Sequence, residues 1–207
     1  MIRLKKGKIE TMRKFIKTLT VILLAISAAC AQTVENENSD IISDYGFNIQ
    51  FEGNARYTKA EIDYTIGTVI EATEDLTPED FAEGSILKAI SPYAEYISIY
   101  VVEEKTGPEG SCASHDNPEK SCRGFSCEYS PTKWCEGLYD PNELEIKISH
   151  KTCIGKSALV HELVHMFSHI KNDDGNRSHS NSKYFGNGKS IEAKAKHIVI
   201  ETLCSHD

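Results

Sequence analysis

The chain has 207 residues, 40% hydrophobic and 26% charged, with 31 Asp+Glu against 23 Lys+Arg and a formal net charge of −8. Residues 1–31 hold 7 of the basic residues and 1 of the acidic ones, so the 176 that follow carry 16 basic against 30 acidic and a net charge of −14. A surface this acidic repels phosphate backbones and anionic lipid, which argues against nucleic acid as a partner and leaves a protein, a peptide or a cation.

In chain order, a basic stretch (Arg3, Lys5, Lys6, Lys8, Arg13, Lys14, Lys17) runs into the uncharged, mostly apolar TLTVILLAISAACA, the arrangement of a signal peptide over 1–31. Its apolar run, Leu19–Ala31, is 13 residues, short of the ~20 that a spanning helix needs, so no transmembrane segment is expected. Ala29-Cys30-Ala31 offers a small-residue cleavage site after Ala31. Read as a lipobox, the same stretch would put a lipid anchor on Cys30. Met12 is an equally good start, because MRKFIKTLTVILLAISAACA is itself a complete signal. The expected destination is the periplasm or the exterior, or the outer membrane as a lipoprotein if Cys30 is acylated.

A flexible, acidic tether is expected over 32–42, then one domain over 43–207, long enough to bury about two-thirds of its unfolded surface. Within it YGFNIQFEG alternates weakly as a strand, and TKAEIDYTIGTVIEAT places Ile62, Ile66, Val69 and Ile70 at helical spacing behind a cap at Thr58. PEDFAEGSILKAI reads as a shorter helix with Pro78 in its first turn, and the β-branched EYISIYVVEE over 95–104 as a central strand. Across 105–141 the composition shifts to Cys, Ser, Gly, Pro and charged residues without periodicity, the mark of a disulfide-stapled insertion. NELEIKIS alternates Leu144, Ile146 and Ile148 against Glu145, Lys147 and Ser149, a half-exposed strand with a free edge. GKSALVHELVHMFSHIK carries an apolar stripe of Leu159, Leu163, Met166 and Ile170 behind a cap at Ser157. After the turn-rich NDDGNRS and the loop KYFGNG, SIEAKAKHIVIETL closes the chain as an amphipathic helix.

Six cysteines lie beyond the signal: Cys112, Cys122, Cys127, Cys135, Cys153 and Cys204. In an exported chain an even number predicts up to three disulfides, in a pairing that spacing does not fix. The rival is a structural zinc knot from the C-x9-C-x4-C-x7-C cluster at 112–135, which lacks a CxxC pair and would face an oxidising compartment.

On a helix, residues four apart lie nearly in line and ~6 Å apart along the axis. His161 and His165 of HELVH therefore point the same way, near enough for both to reach one ion. Glu162 is turned ~100° from His161, beside such an ion, where it can take a proton from a zinc-activated water. Two histidines and a glutamate left on a half-buried face for purely structural reasons would cost considerable desolvation. The pattern is the HExxH zinc motif, and Zn2+ is the expected cofactor. His169 lies on the same side but ~12 Å from His161 along the axis, too far to share the ion. A third ligand has to come from elsewhere: His179 beyond the turn, Glu192 on the last helix, or Asp173 or Asp174.

Strand, helix with HELVH, turn and downstream helix together resemble the zincin metallopeptidases. The resemblance spans about residues 43–207 in element order and five positions in motif. It implies an α+β, zincin-like fold: a small mixed sheet packed on the HExxH active-site helix and a C-terminal helix, with the Cys-rich insertion 105–141 added. It also implies His161 and His165 as zinc ligands and Glu162 as general base. The chain departs from the metzincin pattern, with Ser168 for Gly and Lys171 for the third His, and shows neither a thermolysin-like ExxxD nor a deuterolysin-like GTxD. DGNRSHSNSKYF is similar to the D-x-N-H-(S/T)…(Y/W)-F stretch of small exported bacterial HExxH proteins, which favours His179. Tyr184, five residues on, is a candidate to face the zinc and steady an oxyanion; paired with Phe185 it is equally a core aromatic. The implied function is an exported zinc metallopeptidase acting on a protein or peptide, whose backbone pairs with the free edge of the 142–149 strand. The alternative is a non-catalytic secreted binding protein on a zincin scaffold with the insertion as contact surface. The intact Glu162 weighs against it.

Overall fold

The computed structural model describes residues 40–76, 85–108, 123–127, 130–172, 179–186 and 188–204. The stretch 1–31 expected as a signal peptide, with Cys30, and Pro78, Cys112, Cys122, Asp173 and Asp174 lie outside the described residues. Eight strands are present among them: β1 (Ile41–Ile42), β2 (Asn48–Phe51), β3 (Ser98–Val102), β4 (Lys105–Thr106), β5 (Arg123–Cys127), β6 (Ser130–Cys135), β7 (Gly137–Asp140) and β8 (Glu145–Ser149). The helices are α1 (Lys59–Leu76), α2 (Ser85–Ile90), α3 (Leu159–Asn172) and α4 (Ile191–Leu203), with 3₁₀ turns at Ser91–Tyr96 and Ile154–Lys156.

Five strands make a mixed sheet in the order β1-β2-β3-β8-β7. β2, β3 and β8 run parallel, while β1 and β7 close the two sides antiparallel. Alternation sends Ile49, Ile99, Val101, Ile146 and Ile148 to one face, where all are fully buried with Ile62, Ile66 and Val69 of α1 and Leu159, Leu163 and Met166 of α3. Three helix starts are satisfied locally. Thr58 Oγ1 accepts from Glu61 N (3.2 Å) while Glu61 Oε2 accepts from Thr58 N (2.7 Å), a reciprocal capping box on α1. Ser157 Oγ accepts from Leu159 N (3.2 Å) at α3, and Ser190 Oγ accepts from Ala193 N (3.2 Å) at α4.

The start of α3 is tied to the end of α4 by the Cys153–Cys204 disulfide, Cα atoms 5.6 Å apart. Gly155 lies so close to α4 that a Cβ there would fall 2.9 Å from Ile200 Cγ1 and 3.0 Å from Cys204 Sγ, so only glycine allows this approach. A second disulfide, Cys127–Cys135, closes the β5–β6 hairpin. Its sulfurs, Phe125 and Val102 form a small separate core on which Leu138 packs. Val102 and Leu138 alternate with Val101 and Tyr139, so the hairpin covers the sheet face opposite α3.

Three expectations change. Ile41 and Ile42, assigned to the tether, pair with Ile49 and Asn48 as β1, because two consecutive isoleucines find a sheet edge to join. The 142–149 strand has no free edge: β8 is paired by β3 on one side and by β7 on the other, and β7 comes from the stretch read wholly as an insertion. A four-cysteine zinc knot at 112–135 is ruled out by the Cys127–Cys135 bond, which consumes two of its ligands. The α+β class and the mixed sheet hold. Among the described residues no helix is long and apolar enough to cross a membrane, and the two disulfides are compatible with an exported protein.

Candidate metal centre

The apolar stripe of α3 fixes the rotation of the helix. With Leu159, Leu163 and Met166 fully buried, His161 and His165 are directed together to the rim of the core. His179, in the chain beyond α3, meets them. The three Nε2 atoms stand 3.1 Å (His161–His165), 3.0 Å (His165–His179) and 3.2 Å (His161–His179) apart. Tetrahedral ligands at a zinc–imidazole bond length would stand ~3.3 Å apart, close to this triangle. His161, His165 and His179 thus form a group that could hold a metal ion.

The donor chemistry fits a cation. Glu192 Oε1 lies 2.9 Å from His161 Nδ1, so the Nδ1 proton serves that carboxylate and Nε2 presents a lone pair to the centre of the triangle. Glu192, one of the candidates for a third ligand, lies behind His161 and is hydrogen-bonded to its Nδ1. Burial opposes protonation of His161, but the Glu192 hydrogen bond and the charges of Glu162 and Glu192 outweigh it and raise its pKa. His179 shifts the other way, lowered by burial and by His161. The hydrogen bond from His161 likewise holds the Glu192 carboxyl below its ordinary value.

Loop contacts fix the third histidine. Phe185, 3% exposed, sets its ring against all three imidazoles, with centroids 5.1, 4.4 and 4.7 Å from those of His161, His165 and His179. Phe185 N and Tyr184 N donate to Asn181 O, and Glu192 N donates to Tyr184 O (3.1 Å), which stitches the loop to the first turn of α4. His179 takes φ of 53°, a left-handed conformation that histidine tolerates better than most side chains and that marks functional loops. Tyr184 is buried to 3% exposure in the main core. The ring contact to the triad comes from its neighbour Phe185.

Glu162 is 6% exposed, and burial pushes its carboxyl up to about 7, with His161 pulling down and Glu192 pushing up. It lies against β7. A Cβ on Gly137 would fall 2.4 Å from Glu162 Oε1, 2.4 Å from Ala158 Cβ and 3.0 Å from Glu162 Cγ. Gly137 therefore makes room for the glutamate. Two residues along the same strand face, the Tyr139 hydroxyl lies 2.6 Å from His169 Nδ1. His169 stands outside the triad, as helix rise requires, and anchors β7 to α3.

Gly137, Tyr139 and Phe185 escape a reading of the sequence. GLYD is four residues in a cysteine-rich stretch, too short for alternation to register. Phe185 enters the sequence reading only as the end of the (Y/W)-F stretch and as a partner of Tyr184, with no sign that its ring meets the imidazoles.

Comparison with protein-family models, with curated proteins and with solved structures finds no match. Fold and site together define an α+β domain that gathers three histidines around a point able to hold a metal ion.

Proposed function

We propose that the protein is a zinc-dependent hydrolase of the zincin kind, a metallopeptidase that acts outside the cytoplasm on protein or peptide substrates. The observation that carries this reading is the convergence of three imidazole Nε2 atoms at 3.0–3.2 Å, with a buried glutamate directly following the first of them. Zinc suits three imidazoles with one tetrahedral position left over. A zinc ion held there supplies Lewis-acid polarisation and a nucleophile at neutral pH. Glu162, whose carboxyl burial pushes up to about 7 in the metal-free protein, stands beside the triad as the general base and acid. It takes the proton of the attacking water and returns it to the leaving amine. The space left by Gly137 holds its carboxyl in place. β7, the outermost strand of the sheet, offers its backbone to an extended peptide in the manner of an added strand. The Cys127–Cys135 hairpin packs on the opposite face, where it stabilises the sheet.

Metal analysis of the purified chain from residue 32, alongside digestion of a peptide library, tests the reading. About one zinc per chain and peptide cleavage are expected. Glu162→Gln is expected to keep the metal and lose ~10²–10⁴-fold in turnover. A metal-free wild type, or undiminished turnover by Glu162→Gln, would overturn it.

A further inference from the structure

We propose that the cavity beside the carboxyl end of α3 is a side-chain subsite that selects a large apolar residue of the substrate, two or three positions to the amino side of the scissile bond. The proposal rests on the hydrolase reading and narrows its substrate class. The cavity measures about 440 Å³, and Tyr93, Leu144, His169, Ile170 and Lys171 contribute to its wall.

Continuity with the metal centre is the first argument. His169 lies one turn beyond His165, ~6 Å farther along the same side of the helix. Its hydrogen bond to Tyr139 joins it to the strand whose first residue packs on Glu162. β7 thus runs from the glutamate at Gly137 to the cavity beyond Asp140, where the wall takes over at Pro141 and Asn142. A peptide that pairs antiparallel to β7, the more stable arrangement, advances ~3.4 Å per residue. Its residues on the amino side of the reacting bond then point toward Asp140, and the second or third reaches the cavity.

The wall itself is the second argument. Leu144 has φ of 52°, a backbone conformation that glycine or asparagine adopts readily and leucine does not. A leucine kept there supplies a side chain to the wall at the expense of backbone comfort, a combination found at ligand clamps. Tyr93 leaves 47% of its surface exposed at the same place, where an entering side chain can reach its ring. The chemistry follows from the lining. Among the described residues of the wall, Leu144, Ile170, Pro141 and Tyr93 present apolar surface and none is acidic, beside the polar Asn142, His169 and Lys171. A leucine, phenylalanine or tyrosine side chain fits the apolar part of this wall.

The test uses the zinc-loaded chain and decapeptides randomised at each position. Wild type is expected to enrich Leu, Phe or Tyr two or three residues before the cut. The kcat/KM ratio between a Phe-bearing and an Ala-bearing peptide should be ~10–200-fold, the range for hydrophobic pockets. Leu144→Gly, which eases the backbone while removing wall, and Ile170→Asp should each bring that ratio toward 1. Ile170→Asp should also turn the preference toward Lys or Arg. Zinc content and melting temperature show that each variant is folded. A flat wild-type profile at both positions, or variants that keep the wild-type ratio, overturns the subsite. If wild type cleaves no peptide, the hydrolase reading fails separately. The same two peptides titrated onto the zinc-loaded wild type then decide the subsite, and equal affinities overturn it.

Discussion

His161 and His165 stand on α3, whose backbone hydrogen bonds and buried stripe hold them in line whether or not an ion is present. His179 stands on a loop in a left-handed conformation, held by a phenylalanine ring and by hydrogen bonds from the 181–185 turn to α4. One side of the triad is preformed by secondary structure, which spaces residues four apart automatically. The other is assembled from contacts that each have to be specified. The difference shows how a group able to hold a metal ion divides its support: the helix rests on the core, and the loop on a ring contact and a few backbone hydrogen bonds.

Loss of a ligand breaks this comparison most severely. His161→Ala, His165→Ala and His179→Ala should each weaken zinc binding by more than the ~10–100-fold typical for losing a group that merely hydrogen-bonds a ligand, and each should abolish hydrolysis. The two sides then separate in the metal-free protein. His165 is 9% exposed, so its replacement leaves a void and lowers the melting temperature. His179→Gly relieves the left-handed backbone and should leave that temperature unchanged or higher. Equal losses for both, read by calorimetry after chelation, would mean the loop is as much part of the framework as the helix.

The same division governs what the sequence discloses. α1, β3, β8, α3 and α4 are legible from periodicity, because each repeats its pattern over enough residues to exceed chance. His161, Glu162 and His165 are legible because helix geometry converts spacing into direction. His179 can be ranked among the candidates but not placed, since no periodicity constrains a residue outside helix and strand. Glu192 can be noticed but not given its role: sequence cannot distinguish a carboxylate on the ion from one on the imidazole behind it. β7 is the largest omission, and it decides the shape of the site, moving the sheet edge from β8 to a strand that begins with Gly137.

Gly137→Ala tests the glutamate's place between helix and strand. With 2.4 Å between the new methyl and Glu162 Oε1, the carboxyl has to leave its position or β7 has to separate from α3. Hydrolysis should fall by about the ~10²-fold that a small misplacement of a catalytic group costs, with zinc content unchanged. A Gly137→Ala protein of wild-type activity would show that Glu162 does not need this position. Glu192→Gln is milder. Its amide still reaches His161 Nδ1 but carries no charge, and metal affinity should drop ~10–100-fold, measured by competition with a chelator. Because Glu192 orients a helix-side ligand from α4, a larger effect here than for His179→Ala would reverse the assignment of ligand and support.

The smallest effect is the most direct comparison of the two sides, the order in which their imidazoles titrate without metal. Glu192 and Glu162 stabilise the imidazolium of His161, so its pKa rises above the ordinary 6.5 despite burial. At His179 burial and the nearby His161 act together, and its pKa falls below 6.5. On acidification of the zinc-free protein from alkaline pH, His161 should therefore take its proton first, and that charge then helps to keep His179 neutral. Imidazole nitrogen shifts followed by NMR in the chelated protein give both midpoints. Glu192→Gln should bring them closer by removing the carboxylate that stabilises protonated His161. If His179 titrates at the higher pH instead, the carboxylate does not act on His161 as the 2.9 Å contact requires, and the helix-side histidine is not the one poised by its surroundings.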